Sequence, residues 1–296
     1  MMARVANGRS NIYNASARAK ARKATLIDST RMRQLIQQGT DSIGVSIGEL
    51  GYRSEMDLYA SRMDGADAIE AALFNNCEND LAQGMGFCQE HLKSLVAIYV
   101  ERLEYEKDKT FLRAINGGAS DDVIETQIIP TENPRNTPWL NIVRTTKGLQ
   151  EAVDAMSGTS WGRTLAGLEG DPGLEEMENA LDMQYFSDAL KAVRGRDGGP
   201  RLLRYLRMEI DHRNIINEFR AIRMEMPFEK RVAMIIPGGK IDAGTMRQAA
   251  QAENDEELVE TLRRSGAFDD SGFDEAMAES ERMGSLDPYA ELFSHQ

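Results

Sequence analysis

The chain has 296 residues, 41% hydrophobic and 28% charged, which is enough apolar material for two or three compact domains and too little bias for a disordered chain. Its formal charge of −13 argues against bulk nucleic-acid binding, because most of the surface repels phosphate. The longest apolar run, Leu95 to Val100, falls far short of the roughly 20 residues a spanning helix needs, so any membrane role is peripheral.

The first 33 residues carry Arg4, Arg9, Arg18, Lys20, Arg22, Lys23, Arg31 and Arg33 against Asp28 alone, a local charge of +7 that leaves −20 for the remainder. Three readings of this head compete: the solvated face of an Ala/Arg/Lys-rich first helix, a surface for an acidic partner, or a transit peptide or nucleic-acid arm. Next comes a short helix over Ser42–Leu50, stopped at Gly51 with Tyr52 folding back on the core. Within it, Gly44-Val45-Ser46-Ile47-Gly48 fits the GxSxG of a serine nucleophile elbow, but the segment reads as helix rather than as a strand-to-helix turn. A triad would have only His91, His212 and His295 to draw on, and Ser46 is taken as a packing residue. Cys77 and Cys88, eleven apart and with no CxxC, suit a reducing cytosol better than a disulfide scaffold.

From Leu92 onward a long helix is expected. Leu92, Val96, Tyr99, Leu103, Thr110 and Ala114 fall at steps of three, four or seven and predict its inward stripe. Residues 113–130 begin Arg-Ala-Ile and end Ile-Ile-Pro, and residues 220–237 do the same, a constant 107 positions later. A period that long predicts a duplicated helical subdomain. The same offset pairs Leu103 with Ile210, Glu104 with Asp211 and Trp161 with Phe268, and a looser copy reaches back to Tyr52.

In the later copy the inward stripe is Leu206, Ile210, Asn214, Asn217 and Ala221, so two amides need hydrogen-bond partners if they are buried. Pro130 and Pro237 push the preceding isoleucine out of helical geometry and mark a corner in each copy. Short helices over Leu149–Met156 and Glu256–Leu262 repeat the element at Ser42–Leu50. Glu70–Leu73, Glu178–Leu181 and Asp274–Met277 form a further recurrent piece. Gly117-Gly118, Thr131–Pro138 and Arg194–Pro200 read as the loops that move.

The whole is therefore all-α: a basic segment at 1–11, then helical repeats at 12–89, 90–197 and 198–296. By its own spacing the last repeat should carry another Arg-Ala-Ile helix near position 316, and it is expected to be truncated. Phosphate-loop, dinucleotide and HExxH signatures are absent, and Gly238-Gly239-Lys240 lacks the spacing of the first. Asp121-Asp122, Glu175-Glu176 and Asp255–Glu257 read as helix N-terminal charges rather than metal ligands. No cofactor or metal is implied.

The tandem order of these motifs behind Tyr13-Asn14, Arg18 and Arg22 resembles the family of the C subunits of archaeal A-type ATP synthases, to which the d subunits of vacuolar ATPases also belong. The matching residues are Glu104, Arg113, Ala114 and Pro130 in the middle copy, and Asp211, Asn214, Arg220, Ala221, Pro237 and Gly238 in the later one, with 236–242, IPGGKID, the most family-like stretch. Two departures stand out: Lys107 occupies the place of Asn214, and Thr131-Glu132-Asn133-Pro134 replaces the glycine pair, which predicts a differently built middle corner.

The resemblance implies a funnel of three lobes about an approximate threefold axis, with no reaction of its own. Such a protein sits peripherally on the cytoplasmic face of the membrane proteolipid ring and receives the foot of the central shaft; ring and shaft are the partners expected. On this reading Arg18, Lys20, Arg22, Lys23, Arg113 and Arg220 offer charge-assisted hydrogen bonds to acidic partner groups, the alternative being that the two repeat arginines bridge lobes internally. Two other classes stay open. A solenoid adaptor would show repeats of roughly 34 to 47 residues, which are not found, and a helical enzyme would assemble its site from distant positions.

Overall fold

The computed structural model describes residues 8–170, 172–195, 199–266 and 269–295, apart from the side chains of residues 8–10, 40, 41, 90, 294 and 295. Arg4, Phe268 and the 196–198 part of the Arg194–Pro200 loop lie outside the described residues. As expected, the fold is all-α, and no strand occurs among the described residues.

Two compact units divide the chain, Met1–Leu174 and Glu175–Gln296. The first begins with α1 (Gly8–Lys23), α2 (Ser29–Ile36) and α3 (Thr40–Ile47). Asp28 starts α2 by accepting from the Thr30 and Arg31 N–H groups at 2.9 and 2.8 Å, satisfying donors that the first turn leaves unpaired. As predicted, the helix is broken at Gly51: α3 winds into a π-helical turn, Gly48–Tyr52, whose Gly51 leaves helical geometry at φ 108°, and α4 (Arg53–Tyr59) starts beyond it. α3 and α4 pack on α5 (Gly65–Phe87) around Leu35, Ile47, Met56, Tyr59 and Ala72.

The long helix α6 (Glu90–Asn116) leads to a three-residue turn, α7 (Asp121–Val123), and a second π turn, Ile124–Ile128. Ile129 then leaves helical geometry before Pro130, as its place before a proline requires. A 3-10 turn (Pro134–Asn136), α8 (Thr137–Thr145), α9 (Leu149–Ala155) and α10 (Ser160–Ala166) complete this unit. The predicted stripe of α6 needs correction. Tyr99 and Thr110 are exposed, whereas Leu95, Ile98, Tyr105, Asp108, Phe111 and Leu112 are buried. α6 packs against α1, α5, α9 and the second π turn, so it has no single inward face for periodicity to find.

The second unit holds α11 (Leu174–Val193), α12 (Gly199–Arg223), α13 (Phe228–Ala233), α14 (Ala243–Ala249), α15 (Asp255–Arg264), α16 (Phe273–Met283) and α17 (Asp287–His295). Its core stacks Phe219 on Tyr289 at 4.2 Å, with Ile215, Met246, Leu258 and Phe273 around them. Asn254 caps α15 through the Glu257 N–H at 2.9 Å, while the Glu257 carboxylate reaches back to the Glu253 N–H at 3.0 Å. α6 and α12 end at Asn116 and Arg223, keeping the offset of the sequence repeat.

Candidate partner interface

The corner at Ile236–Ile241 is set by two side chains of α12. Asn214 makes both hydrogen bonds with one residue: its Nδ2 donates to the Ile236 carbonyl and its Oδ1 accepts from the Ile236 N–H, each at 2.9 Å. Here is the amide partner that burial demands, placed on the residue before Pro237. One turn earlier Asp211 accepts from the N–H groups of Lys240 at 2.9 Å and Ile241 at 3.2 Å. Burial pushes the Asp211 carboxyl up to about 6, although these two hydrogen bonds pull it the other way.

Gly238, at φ 106°, and Gly239 let the backbone lie against α12 and α11, and a Cβ on Gly239 would run into the Asp211 carboxylate. Gly239→Ala is therefore expected to displace Asp211 and cost about 1–3 kcal/mol, the penalty of leaving buried polar groups unpaired. A chemical-denaturation curve that overlays the parent would show that the corner yields without loss. Lys240, the lysine of the would-be phosphate loop, has its N–H committed to Asp211 in this corner.

The middle corner is built differently, as the substitutions at 107 and 131–134 predict. Lys107 Nζ donates to Glu78 Oε1 at 2.6 Å and to Asn136 Oδ1 at 2.9 Å. Asn133 donates to the other Glu78 oxygen, and Asn136 Nδ2 donates to the Pro130 carbonyl at 2.9 Å. All four side chains are buried. Thr131–Pro138, read from sequence as a loop that moves, is thus pinned from beneath by a polar knot.

Of the predicted contact residues, Arg18, Lys20, Lys23, Arg113 and Arg220 are exposed. Arg22 is engaged within the chain: its guanidinium pairs with Asp80, bonds Gln83 and lies 5.6 Å from the Phe87 ring, which Arg18 approaches at 5.0 Å. Asn11 adds a second tie, accepting from the Gln89 N–H at 2.9 Å. These contacts fix α1 on α5 and α6 and leave Lys20 and Lys23 outward. Arg113 and Arg220 occupy the last turns of α6 and α12, where positive charge is favoured by the helix dipole. Ser46 lies within α3 and its Oγ donates to Oε1 of Gln38, in the turn before that helix, at 2.8 Å, so the strand-to-helix elbow is not formed around it. His212 stacks on Phe293 at 4.2 Å. Both cysteines are free thiols, held above their ordinary pKa chiefly by burial. Among the described residues no cluster suits a metal ion, and no helix is long and apolar enough to cross a membrane.

The sequence profile described as ATP synthase (C/AC39) subunit matches residues 15–294. The chain belongs to this family. The match runs from α1 through both corners into α17. Relatives include the A-type ATP synthase C subunit of Haloquadratum walsbyi, 29% identical over 94% of this chain and 80% of the relative, and that of Haloferax volcanii, 28% identical over 87% and 74%. The C subunit of Methanococcoides burtonii is 27% identical over 78% of this chain and 64% of its own length. Within this C/AC39 chain, four of the residues that carried the resemblance meet at the later corner: Asp211 and Asn214 of α12 hold the turn that contains Pro237 and Gly238.

Proposed function

We propose that this chain is the C subunit of an A-type rotary ATP synthase of archaeal type: a non-catalytic rotor part, peripheral on the cytoplasmic side, that couples the central shaft to the membrane proteolipid ring. The observation that carries this reading is the family match over residues 15–294 together with relatives named as C subunits. The build of the corners supports it. A part that passes torque must resist deformation, and here turns between helices are tied to the long helices by buried side-chain hydrogen bonds instead of being left as flexible connections. Three lobes about an approximate threefold axis, following repeats 12–89, 90–197 and 198–296, belong to the same proposal. ATP and the ion gradient are then the business of other subunits.

Arg18, Lys20 and Lys23 on α1, with Arg113 and Arg220 at the helix ends, are the proposed contacts for acidic groups of a partner, while Arg22 holds α1 in place. Binding of the full chain to reconstituted central-stalk subunits, by size exclusion and calorimetry at low and moderate salt, tests this. A saturable one-to-one complex is expected, weakening as salt screens the exposed charges. Replacing Arg18, Lys20 and Lys23 by glutamine should flatten that salt dependence. If affinity and salt dependence both stay unchanged, α1 lies outside the interface; if no complex forms, the stalk assignment falls.

A further inference from the structure

Asp108 is a carboxyl in the wrong place. It is fully buried on α6, and neither of its oxygens has a hydrogen-bond partner among the described residues. Its flanking lysines are committed elsewhere, Lys107 to Glu78 and Asn136, and Lys109 to Glu106 at 2.9 Å. The residue 107 positions later is Ile215, also fully buried, so the later copy treats the same position as apolar core.

The neighbours on that face are aromatic. Tyr105 and Phe111 stand three residues to either side of Asp108, hence on its side of the helix. Trp161 meets Tyr105 edge-on at 6.1 Å, Trp139 meets Phe111 at 5.6 Å, and the two indoles stack on each other at 5.6 Å. The four rings close a bridge over the turn that bears the carboxyl. Trp161 Nε1–H, also buried, has no acceptor among the described residues.

Charges on the elements packed against α6 do not compensate. On α5, Glu78 is held in the knot; within the second π turn, Glu125 pairs with Arg144 of α8. On α1, Arg22 pairs with Asp80. Glu151 and Asp154 of α9 are exposed, as is Arg163 of α10, which bonds the Gly158 carbonyl. Lys109 alone exerts a field that favours the anion, and burial outweighs it, lifting the Asp108 carboxyl to about 8.

We infer that Asp108 is a buried protonation switch: it is held as the neutral acid beneath the Tyr105–Trp161–Trp139–Phe111 bridge, and losing its proton in alkali loosens that bridge. An unpaired anion in this position has no stable solution within the packed core. It must draw the idle Trp161 N–H toward itself or admit water, and either event moves an indole. The inference does not rest on the proposed rotor role.

The chain reports on itself, because its two tryptophans are both in the bridge. In the full chain, tryptophan emission should change with a midpoint near pH 8 while far-UV circular dichroism holds steady. The titration is read below the tyrosine range at about 10. Asp108→Asn, which cannot ionise, and Asp108→Ile, which copies the later repeat, should each abolish the transition. An emission that is flat across this range in the parent, or the same transition persisting in Asp108→Asn, overturns the proposal. If neither variant folds, infrared spectroscopy of the parent decides: a carboxylic acid carbonyl band that persists at neutral pH and disappears in alkali with the emission change supports it, and absence of that band at neutral pH overturns it.

Discussion

Replacing Lys107 by methionine is expected to destabilise the first unit by about 3–5 kcal/mol, the cost of stranding one member of a buried ion pair. The stem of lysine is replaced by a chain of similar length, so packing changes little; what is lost is the ammonium. Glu78 would keep only the Asn133 amide, and Asn136 Oδ1 would lose its donor. Tryptophan fluorescence reads this directly, since Trp139 and Trp161 both belong to the first unit. The urea midpoint of that signal should fall with its slope unchanged, the mark of altered stability rather than altered compactness. Adding Glu78→Gln should recover most of the loss, because the stranded charge is then gone. A shift in the single variant below about 1 kcal/mol, the scale of an exposed pair, would mean that Glu78 is hydrated and that the knot does not hold the corner.

The knot also shows where sequence reading stops. Periodicity located the helices well: the expected short helices at Ser42–Leu50, Leu149–Met156 and Glu256–Leu262 are found as α3 with its π turn, α9 and α15. The corners at Pro130 and Pro237 were legible because proline restricts its neighbour whatever the tertiary context. The inward face of α6 was not legible. Lys107, Asp108 and Lys109 are three consecutive charged residues, and a charged run ordinarily marks a solvated face, yet all three are buried. The acceptors that admit Lys107, Glu78 and Asn136, lie 29 residues before and 29 after it, and nothing in the local pattern announces them.

Arg22 is a similar case. As one of seven basic residues between positions 9 and 33 it reads as surface charge, and only its 58-residue reach to Asp80 shows that it fastens α1. Asn214, by contrast, was flagged by an amide interrupting an apolar stripe. A lone polar residue in a helical apolar pattern is a readable demand for a partner, whereas a polar residue in a polar run is silent.

The second unit offers the complementary experiment, because the repeat supplies its own control. Arg231 and Glu218 pair at 2.8 Å in the core, and the residues 107 positions earlier are Ile124 and Phe111, both buried. One copy therefore uses an ion pair where the other uses hydrocarbon. Burial holds the Glu218 carboxyl above its ordinary range despite Arg231, so desolvation outweighs the attraction between the partners. Arg231→Met should cost about 3–5 kcal/mol by leaving Glu218 unpaired.

The loss should also depend on pH. A carboxyl raised in the folded state binds its proton there more tightly than in the unfolded chain, so stability declines as pH climbs from the ordinary glutamate range through the raised folded value, then levels off. With Arg231 gone that decline should be steeper, and in Glu218→Leu with Arg231→Met it should vanish. The double variant is not expected to match the parent, because Arg231 also donates to the carbonyls of Ala252 at 2.7 Å and Ala249 at 3.2 Å. Those two buried acceptors leave a residual cost of about 1–3 kcal/mol. Far-UV circular dichroism is the probe, since this unit has no tryptophan. Full recovery would show that the carbonyls find water and that the pair alone set the cost. Failure of the double variant to improve on Arg231→Met would identify the guanidinium as a clamp on the end of α14, its pairing with Glu218 being incidental.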